Sequence, residues 1–398
     1  MDITIFPSKL SGALRAIPSK SQAHRLLICA AFADGNTELI CPETNQDIEA
    51  TANCLNALGA SVCRTDNGYH VTPASKVPGK AVLDCRESGS TLRFLLPIVG
   101  ALGVEADILL SGRLPDRPLS PLWEEMERMG CHLSRPEHNR IHCCGQLRCG
   151  AYSVPGNVSS QYVSGLLFAL TLMNGVSELS ILGKLESKPY VDMTKLSLSA
   201  FGANVALPMI TGCRTLHTPG RIEVEGDWSN AAFFLAAQAL GSSVTVTGLN
   251  PDSPQGDRAV SQLLDCLSEH CHICATDIPD LVPILAVVAG TCEGAVFTDI
   301  ARLRLKESDR VETTAAMLRQ LGASIEITEN TLKVFPAEYQ GCIINAAGDH
   351  RIAMAAAIAV TVSTGPVTIL GAECVAKSYP SFWEEYRRLG GKYEQYIR

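Results

Sequence analysis

Cationic side chains gather in short polar clusters of a chain that is acidic overall, with a formal charge of −8 over 398 residues. Lys20 and Arg25 lie in Pro18-Ser19-Lys20-Ser21-Gln22-Ala23-His24-Arg25, at the head of an apolar run, where Ser19 is placed to cap a helix. A lysine at the N-terminus of a helix opposes the helix dipole unless an anion lies between them, so its position suits a negatively charged ligand. Cys85-Arg86-Glu87-Ser88-Gly89-Ser90-Thr91-Leu92-Arg93 adds a glycine that lets a ligand approach the backbone. Arg93 follows one turn on and can fork onto a carboxylate or phosphate. Ser159-Ser160-Gln161 offers two hydroxyls and an amide, neutral donors for a phosphate. Further on come Asp116-Arg117-Pro118, Ser187-Lys188-Pro189-Tyr190, Pro279-Asp280, Lys306-Glu307-Ser308-Asp309-Arg310, Asp349-His350-Arg351 and Lys377. Each alone reads as a cap or surface turn. Recurring at equivalent edges of a repeat, they describe a site for small polyanions in which carboxylates stand beside cations.

The elements that must position these residues form an internal repeat. Apolar runs begin at Lys20, Ser90, Ser159, Trp228, Asp280 and Asp349, spaced by 70, 69, 69, 52 and 69 residues, and each run continues to a glycine. An amphipathic helix follows each, closing at Leu58-Gly59, Met129-Gly130, Phe201-Gly202, Leu267-Ser268, Leu321-Gly322 and Leu389-Gly390. Both registers shorten at the fourth unit, as a true repeat requires. A helix apolar all round is buried, and one with a single apolar stripe covers it. Alternation over 104–110 and 323–328 predicts strands. The N-termini of the buried helices present unpaired N–H groups and a positive partial charge, which suit phosphates and carboxylates.

Six units divide into three plus three, giving two domains of about 200 residues with a boundary near 221–227. The composition, 46% hydrophobic and 19% charged, is that of a soluble globular protein. Residues 1–6 alternate like a strand and carry no signal or transit pattern, and the apolar runs are too short to span a membrane, so a cytoplasmic protein is expected. Sixteen cysteines are scattered singly, which predicts reduced, buried thiols. Cys271-His272-Ile273-Cys274 lacks the second ligand pair of a zinc site and reads as a strand. The negative charge argues against a nucleic-acid surface.

The ordered set of motifs resembles the 5-enolpyruvylshikimate-3-phosphate synthases over essentially the whole chain. It comprises Lys20-Ser21 with Arg25, Ser88-Gly89 with Arg93, Arg117-Pro118, Ser159-Ser160-Gln161, Ser187 to Tyr190, Pro279-Asp280, Lys306-Glu307 with Arg310, Asp349-His350-Arg351 and Lys377. The resemblance implies an α/β fold of two inside-out, barrel-like domains, each of three βαβαββ units. It implies that residues 1–17 join 226–398 in one domain, that 18–225 form the other, and that the site lies in the cleft between them. The implied reaction transfers the enolpyruvyl group of phosphoenolpyruvate to the 5-hydroxyl of shikimate 3-phosphate and releases phosphate through a tetrahedral adduct. The two substrates carry together about six negative charges. By the same resemblance Lys20, Gly89, Arg117, Gln161, Arg310, Arg351 and Lys377 contact phosphoenolpyruvate. Lys20, Ser21, Arg25, Ser159, Ser160, Gln161, Ser187, Tyr190, Asp280 and Lys306 hold shikimate 3-phosphate, with Tyr190 under its ring. Lys20, Asp280 and Glu307 carry the proton transfers. No cofactor or metal is implied, and one chain supplies both halves of the site, so a monomer is expected. The family's inhibitor glyphosate shares the phosphoenolpyruvate site.

Three departures from the family pattern concern affinity more than the reaction: Glu87-Ser88-Gly89-Ser90 replaces an Asn-Ala-Gly-Thr type loop, Arg302 replaces an asparagine, and Pro18 replaces a glycine. Two other readings compete. A UDP-N-acetylglucosamine enolpyruvyl transferase carries a loop cysteine five residues before its Arg-Pro, where this chain has Gly112. A catalytically inert anion-binding pseudoenzyme would keep the cations without Asp280 and Glu307.

Overall fold

Helices of two kinds alternate along the chain, because apolar runs and striped runs alternate in its sequence. In the computed structural model, which describes residues 1–213 and 215–396, they are α1 (Lys20–Ala31), α2 (Gln46–Ala57), α3 (Gly89–Leu102), α4 (Leu122–Arg128), α5 (Ser160–Leu172) and α6 (Lys188–Ala200). There follow α7 (Trp228–Ala239), α8 (Val260–Cys266), α9 (Val282–Thr291), α10 (Arg310–Gln320), α11 (His350–Ala359) and α12 (Phe382–Arg388). The odd-numbered helices are buried on nearly every side; every residue of α11, and every residue of α9 from Val282 to Gly290, is buried. The even-numbered ones bury a stripe. In α10 it is Arg310, Val311, Thr314, Ala315, Met317 and Leu318, the spacing of one helical face.

Four of the six buried helices start on a side-chain cap: Ser88, Ser159, Asp227 and Asp349 each accept a hydrogen bond from an N–H in the first turn. Two depart from expectation. Ser19 does not cap α1; it is held by its backbone, its N–H donating to the Glu225 carbonyl and its own carbonyl accepting from Ala23. The hydroxyl is buried without a partner. Asp280 does not open α9, which starts at Val282 with Pro283 in its first turn. The Asp280 carboxylate is therefore free to meet cations from other elements.

The chain divides into two compact units, Met1–Ile17 with Gly226–Arg398, and Pro18–Glu225. In Pro18–Glu225, α3 packs on α5 and α1, and three separate sheets lie outside them. In the other unit α7, α9 and α11 pack on one another, again with three sheets outside. Each unit has its own apolar core, and the outer sheet faces are open to solvent: in Lys80–Asp84 only Leu83 points fully inward, and Val82 is exposed beside Lys80 and Asp84.

The second and fifth repeats are contiguous βαβαββ units. In the second, Lys80–Asp84 runs parallel to Glu105–Leu109, which pairs antiparallel with Arg140–Gly145, itself antiparallel to Cys131–Glu137. The other repeats are shortened or completed from a distance. Arg221–Glu223 supplies the first strand of the first repeat, beside Thr37–Ile40, and the third has one strand, Met209–Thr211, after α6. The fourth consists of Ser11–Arg15 parallel to Ser243–Thr247, in a two-stranded sheet. The hairpin that ends the first, second and fifth units is missing there among the described residues, which shortens the fourth unit. In the sixth, Asp2–Phe6 lies between Val367–Leu370 and Lys392–Tyr396. The sheets of each unit are open and separate, so the barrel-like description holds for their arrangement about the buried helices and not for strand pairing.

Among the described residues no helix is long and apolar enough to cross a membrane. All sixteen cysteines are unpaired, but only six are buried; Cys63, Cys149, Cys213, Cys266 and Cys274 are exposed. Alternation in outer sheets puts about half the strand residues at the surface, so burial of every thiol was the wrong expectation.

Candidate active site

In Pro18–Glu225 the first turns of α1, α3 and α5 meet. The Gln161 amide nitrogen donates to Ser90 Oγ at 2.9 Å, and its oxygen accepts from the Arg93 guanidinium at 3.3 Å. Arg93 also donates to the Gly89 and Pro118 carbonyls, which fixes the turn against the segment carrying Arg117. A methyl added at Gly89 would lie 2.5 Å from an Arg93 guanidinium nitrogen and 2.8 Å from one of Arg117. Both cations thus crowd this glycine. Arg25 is 2% exposed and donates to Thr194 Oγ1 and the Tyr190 carbonyl, each at 2.8 Å, and to the Ser21 carbonyl. Burial lowers its pKa to about 10, so it stays charged at neutral pH. Its guanidinium lies 4.9 Å from the centre of the Phe94 ring. Ser187 holds a left-handed backbone (φ 54°) at the start of α6, and Ser160 is buried.

Lys20 Nζ pairs with Asp47 Oδ2 at 3.0 Å, both side chains being largely buried. Asp47 stands in the first turn of α2, whose cap is Asn45. One turn behind Lys20, His24 Nδ1 meets Thr51 Oγ1 at 2.7 Å, Thr51 meets Thr91 at 2.6 Å, and Thr91 Oγ1 donates to Ser88 Oγ at 2.7 Å. Burial pushes the His24 pKa down to about 3, so the ring is neutral and serves as a strut between helices.

The second cluster belongs to the unit of Met1–Ile17 and Gly226–Arg398 and is built around Arg310, 1% exposed at the start of α10. Its guanidinium binds three carboxylates: Asp280 Oδ1 at 2.5 Å, Glu307 Oε2 at 2.6 Å and Asp349 Oδ2 at 2.8 Å. Arg351 donates to Asp280 Oδ2 at 3.2 Å and to Ser229 Oγ at 3.0 Å, joining the N-termini of α7 and α11 to the segment ahead of α9. Lys306 Nζ lies 3.6 Å from Asp280 Oδ1. Ser308 donates to Asp349 Oδ2 at 2.9 Å. Lys377 closes a 3₁₀ turn over 372–377 and is 8% exposed; it and Asp349 both act on the Cys374 thiol.

Charge follows from this packing. Burial pushes the Asp280 carboxyl up, but the combined field of Arg351, Lys306 and Arg310 outweighs it and holds the group well below the usual carboxylate range. Burial lowers Arg310, yet Asp349, Glu307 and Asp280 together raise it well above its ordinary value. Lys306 is brought down to about 8, first by burial and then by Arg310 and Arg302, against the pull of Asp280. Arg302, one of the departures from the family pattern, therefore acts on the site through its charge.

The structure thus gathers Ser90, Arg93, Gln161, Gly89 and Arg117 in one group, Arg25, Ser21 and Tyr190 in a second, and Asp280, Lys306, Glu307, Arg310 and Arg351 in a third. Asp47, Thr194 and Ser229 escaped the sequence reading. Asn45-Gln46-Asp47 is legible as a helix start, but nothing local to it points to Lys20.

The EPSP synthase (3-phosphoshikimate 1-carboxyvinyltransferase) family model matches residues 6–277 and 267–386. A 3-phosphoshikimate 1-carboxyvinyltransferase of Clostridium kluyveri is 37% identical, with 99% of this chain and 98% of that protein aligned. One of Clostridium acetobutylicum is also 37% identical, covering 98% and 97%. The chain belongs to the EPSP synthase family. The fold is that of the EPSP synthase of Acinetobacter baumannii, TM-score 0.82 at 24% identity over 99% of this chain and all of that one. The enolpyruvyl transferase NikO from Streptomyces tendae follows at TM-score 0.77 and 18% identity, over 99% and 98%.

Proposed function

We infer that the chain is a working 3-phosphoshikimate 1-carboxyvinyltransferase, transferring the enolpyruvyl group of phosphoenolpyruvate to the 5-hydroxyl of shikimate 3-phosphate. The observation that carries this reading is Arg310 holding Asp280 and Glu307 side by side among Lys306 and Arg351, two carboxylates within a cationic, largely buried cluster. An inert anion-binding module has no use for such carboxylates. They cost anion affinity, and they supply what proton transfer needs.

In this reading Asp280 takes the proton of the 5-hydroxyl as its oxygen adds to C2 of phosphoenolpyruvate, while Glu307 delivers a proton to the methylene carbon. Glu307 then takes a proton back from the new methyl group of the tetrahedral adduct as phosphate leaves with Lys20 beside it, and the hydroxyl proton held by Asp280 leaves with the phosphate. Asp280 locked to three cations is a weak base, since general-base catalysis works best with a pKa near the operating pH. Incoming substrate corrects this. Arg310 and Arg351 turn toward the carboxylate and phosphate of phosphoenolpyruvate, joined there by Lys377, and loosen their hold on Asp280 and Glu307. Lys20 exchanges Asp47 for substrate oxygens in the same way. Ser159, Ser160, Gln161, Ser187 and Arg25 hold shikimate 3-phosphate over Tyr190, and Gly89 and Arg117 flank phosphoenolpyruvate.

The enzyme acts as a monomer in the cytoplasm, with two small anions and no nucleic acid as partners; the exposed unpaired thiols suit a reducing compartment. The deciding assay measures phosphate release from phosphoenolpyruvate with shikimate 3-phosphate or UDP-N-acetylglucosamine as acceptor. Release with shikimate 3-phosphate alone is the expected result; release only with the nucleotide sugar, or with neither, overturns the assignment.

A further inference from the structure

The parallel strands Cys271–Cys274 and Ala295–Thr298 end side by side, with Cys274 opposite Thr298. From these ends the chain runs into two segments, 275–280 toward Asp280 and 299–307 toward Lys306 and Glu307. Asp299 is the first residue past its strand. It has φ 56°, a left-handed backbone that asparagine and aspartate tolerate better than most residues. Its side chain reaches back across the strand ends: Oδ2 accepts from Thr276 Oγ1 at 3.3 Å and from the Cys274 thiol at 3.1 Å. Oδ1 accepts from the Asn330 amide at 3.2 Å. Thr276 is itself 7% exposed, so the link enters the base of the segment that ends in Asp280.

We propose that Asp299 is a positioning residue for enolpyruvyl transfer, its carboxylate tying the segment that presents Asp280 to the one that presents Lys306 and Glu307. The inference rests on the assignment of proton transfer to Asp280 and Glu307. One carboxylate must meet the hydroxyl while the other meets the methylene carbon of the same substrate pair, so their separation matters more than either position alone. A main-chain bond, Ala275 N–H to the Thr298 carbonyl at 2.9 Å, joins the two segments at their roots. The Asp299 side chain extends that junction by one residue on each side, toward the reacting groups. The competing explanation is a strand end that needs only a residue tolerant of positive φ. Glycine separates the two, because it relieves the backbone and removes the carboxylate.

The test compares Asp299→Gly, Asp299→Asn and Thr276→Val in the full-length enzyme, with Asp280→Asn as a reference. Asp299→Gly and Thr276→Val should each lower kcat about tenfold, the scale of a sub-ångström misplacement of reacting groups, with both KM values within about threefold of wild type. Asp299→Asn keeps an acceptor for Thr276 and should restore most of kcat. A wild-type kcat in Asp299→Gly overturns the proposal, as does a loss in Asp299→Gly that Asp299→Asn shares in full. Wild-type turnover in Asp280→Asn would instead overturn the assignment of the carboxylate on which the proposal rests. An inactive Asp280→Asn beside a fully active Asp299→Gly removes only the role of Asp299.

Discussion

Lys306 shows how one residue's setting becomes a pH dependence. Its pKa of about 8 lies below the ordinary lysine value because burial and the neighbouring cations outweigh Asp280. Below pH 8 the ammonium is present and ready for an anion; above it the free enzyme must take up a proton to bind one. The dissociation constant for shikimate 3-phosphate should therefore rise as pH climbs through 8, by up to about tenfold per pH unit, and Lys306→Arg should flatten that rise. Calorimetric titration from pH 7 to 9.5 checks this, and a parallel slope in the arginine variant would exclude Lys306 as its source. On the mechanism proposed above, the carboxylates beside it carry the proton transfers, so Asp280→Asn and Glu307→Gln should each reduce kcat by about 10²-fold or more with binding retained. Steady-state kinetics with binding titrations decide it: near wild-type turnover would remove that residue from the mechanism. At Gly89 an added methyl meets Arg93 and Arg117 first. Gly89→Ala should thus raise the phosphoenolpyruvate KM through displaced guanidinium groups, and should weaken glyphosate more, since that ligand fills the space more fully. Equal or absent effects on KM and the inhibition constant would dismiss this wall of the pocket.

At the scale of the helix, Asp349 does two things at once. It caps α11 through Arg351 N–H and neutralises Arg310. Asparagine keeps the first function and loses the second, whereas alanine loses both. Asp349→Ala should cost about 1 kcal/mol more than Asp349→Asn in denaturant unfolding, the usual worth of a cap. Equal losses would mean that the charge carries the whole effect. The buried and striped helices were legible in the sequence because each writes its environment into its own residues. All six apolar runs from Lys20 to Asp349 became helices, and most start at a cap that the sequence displays. Strand partnership was not legible. Nothing within Arg221–Glu223 states that it lies beside Thr37–Ile40, and nothing in Asp2–Phe6 names its neighbours, because pairing depends on the whole chain. The site divides in the same way. Lys20, Arg25 and Arg310 stand out as charges at helix starts, but Asp47, Thr194 and Asp349 come to them from other elements.

For the molecule as a whole, the N-terminal strand is a structural part of the sixth repeat. Asp2–Phe6 is central in its sheet, bonded to Val367–Leu370 on one side and Lys392–Tyr396 on the other, with Ile3 and Ile5 fully buried. Deleting residues 1–7 should expose two strand edges and part of the core of that unit, leaving a protein that unfolds at least 10 °C lower or does not accumulate in soluble form. A deletion variant with unchanged thermal unfolding would show that the sheet closes without this strand. The same pairing has a consequence in time. During synthesis Asp2–Phe6 leaves the ribosome long before its partners, which begin at Val367. At about 5–20 residues per second the strand waits roughly 20–70 s with both edges open. The segment Pro18–Glu225 is complete long before, so it should acquire protease resistance on ribosomes stalled near residue 300 while residues 1–17 remain cleavable. The nascent chain thus holds a finished inner unit while the unit that encloses it in sequence stays unmade, and chaperone demand should peak in that interval.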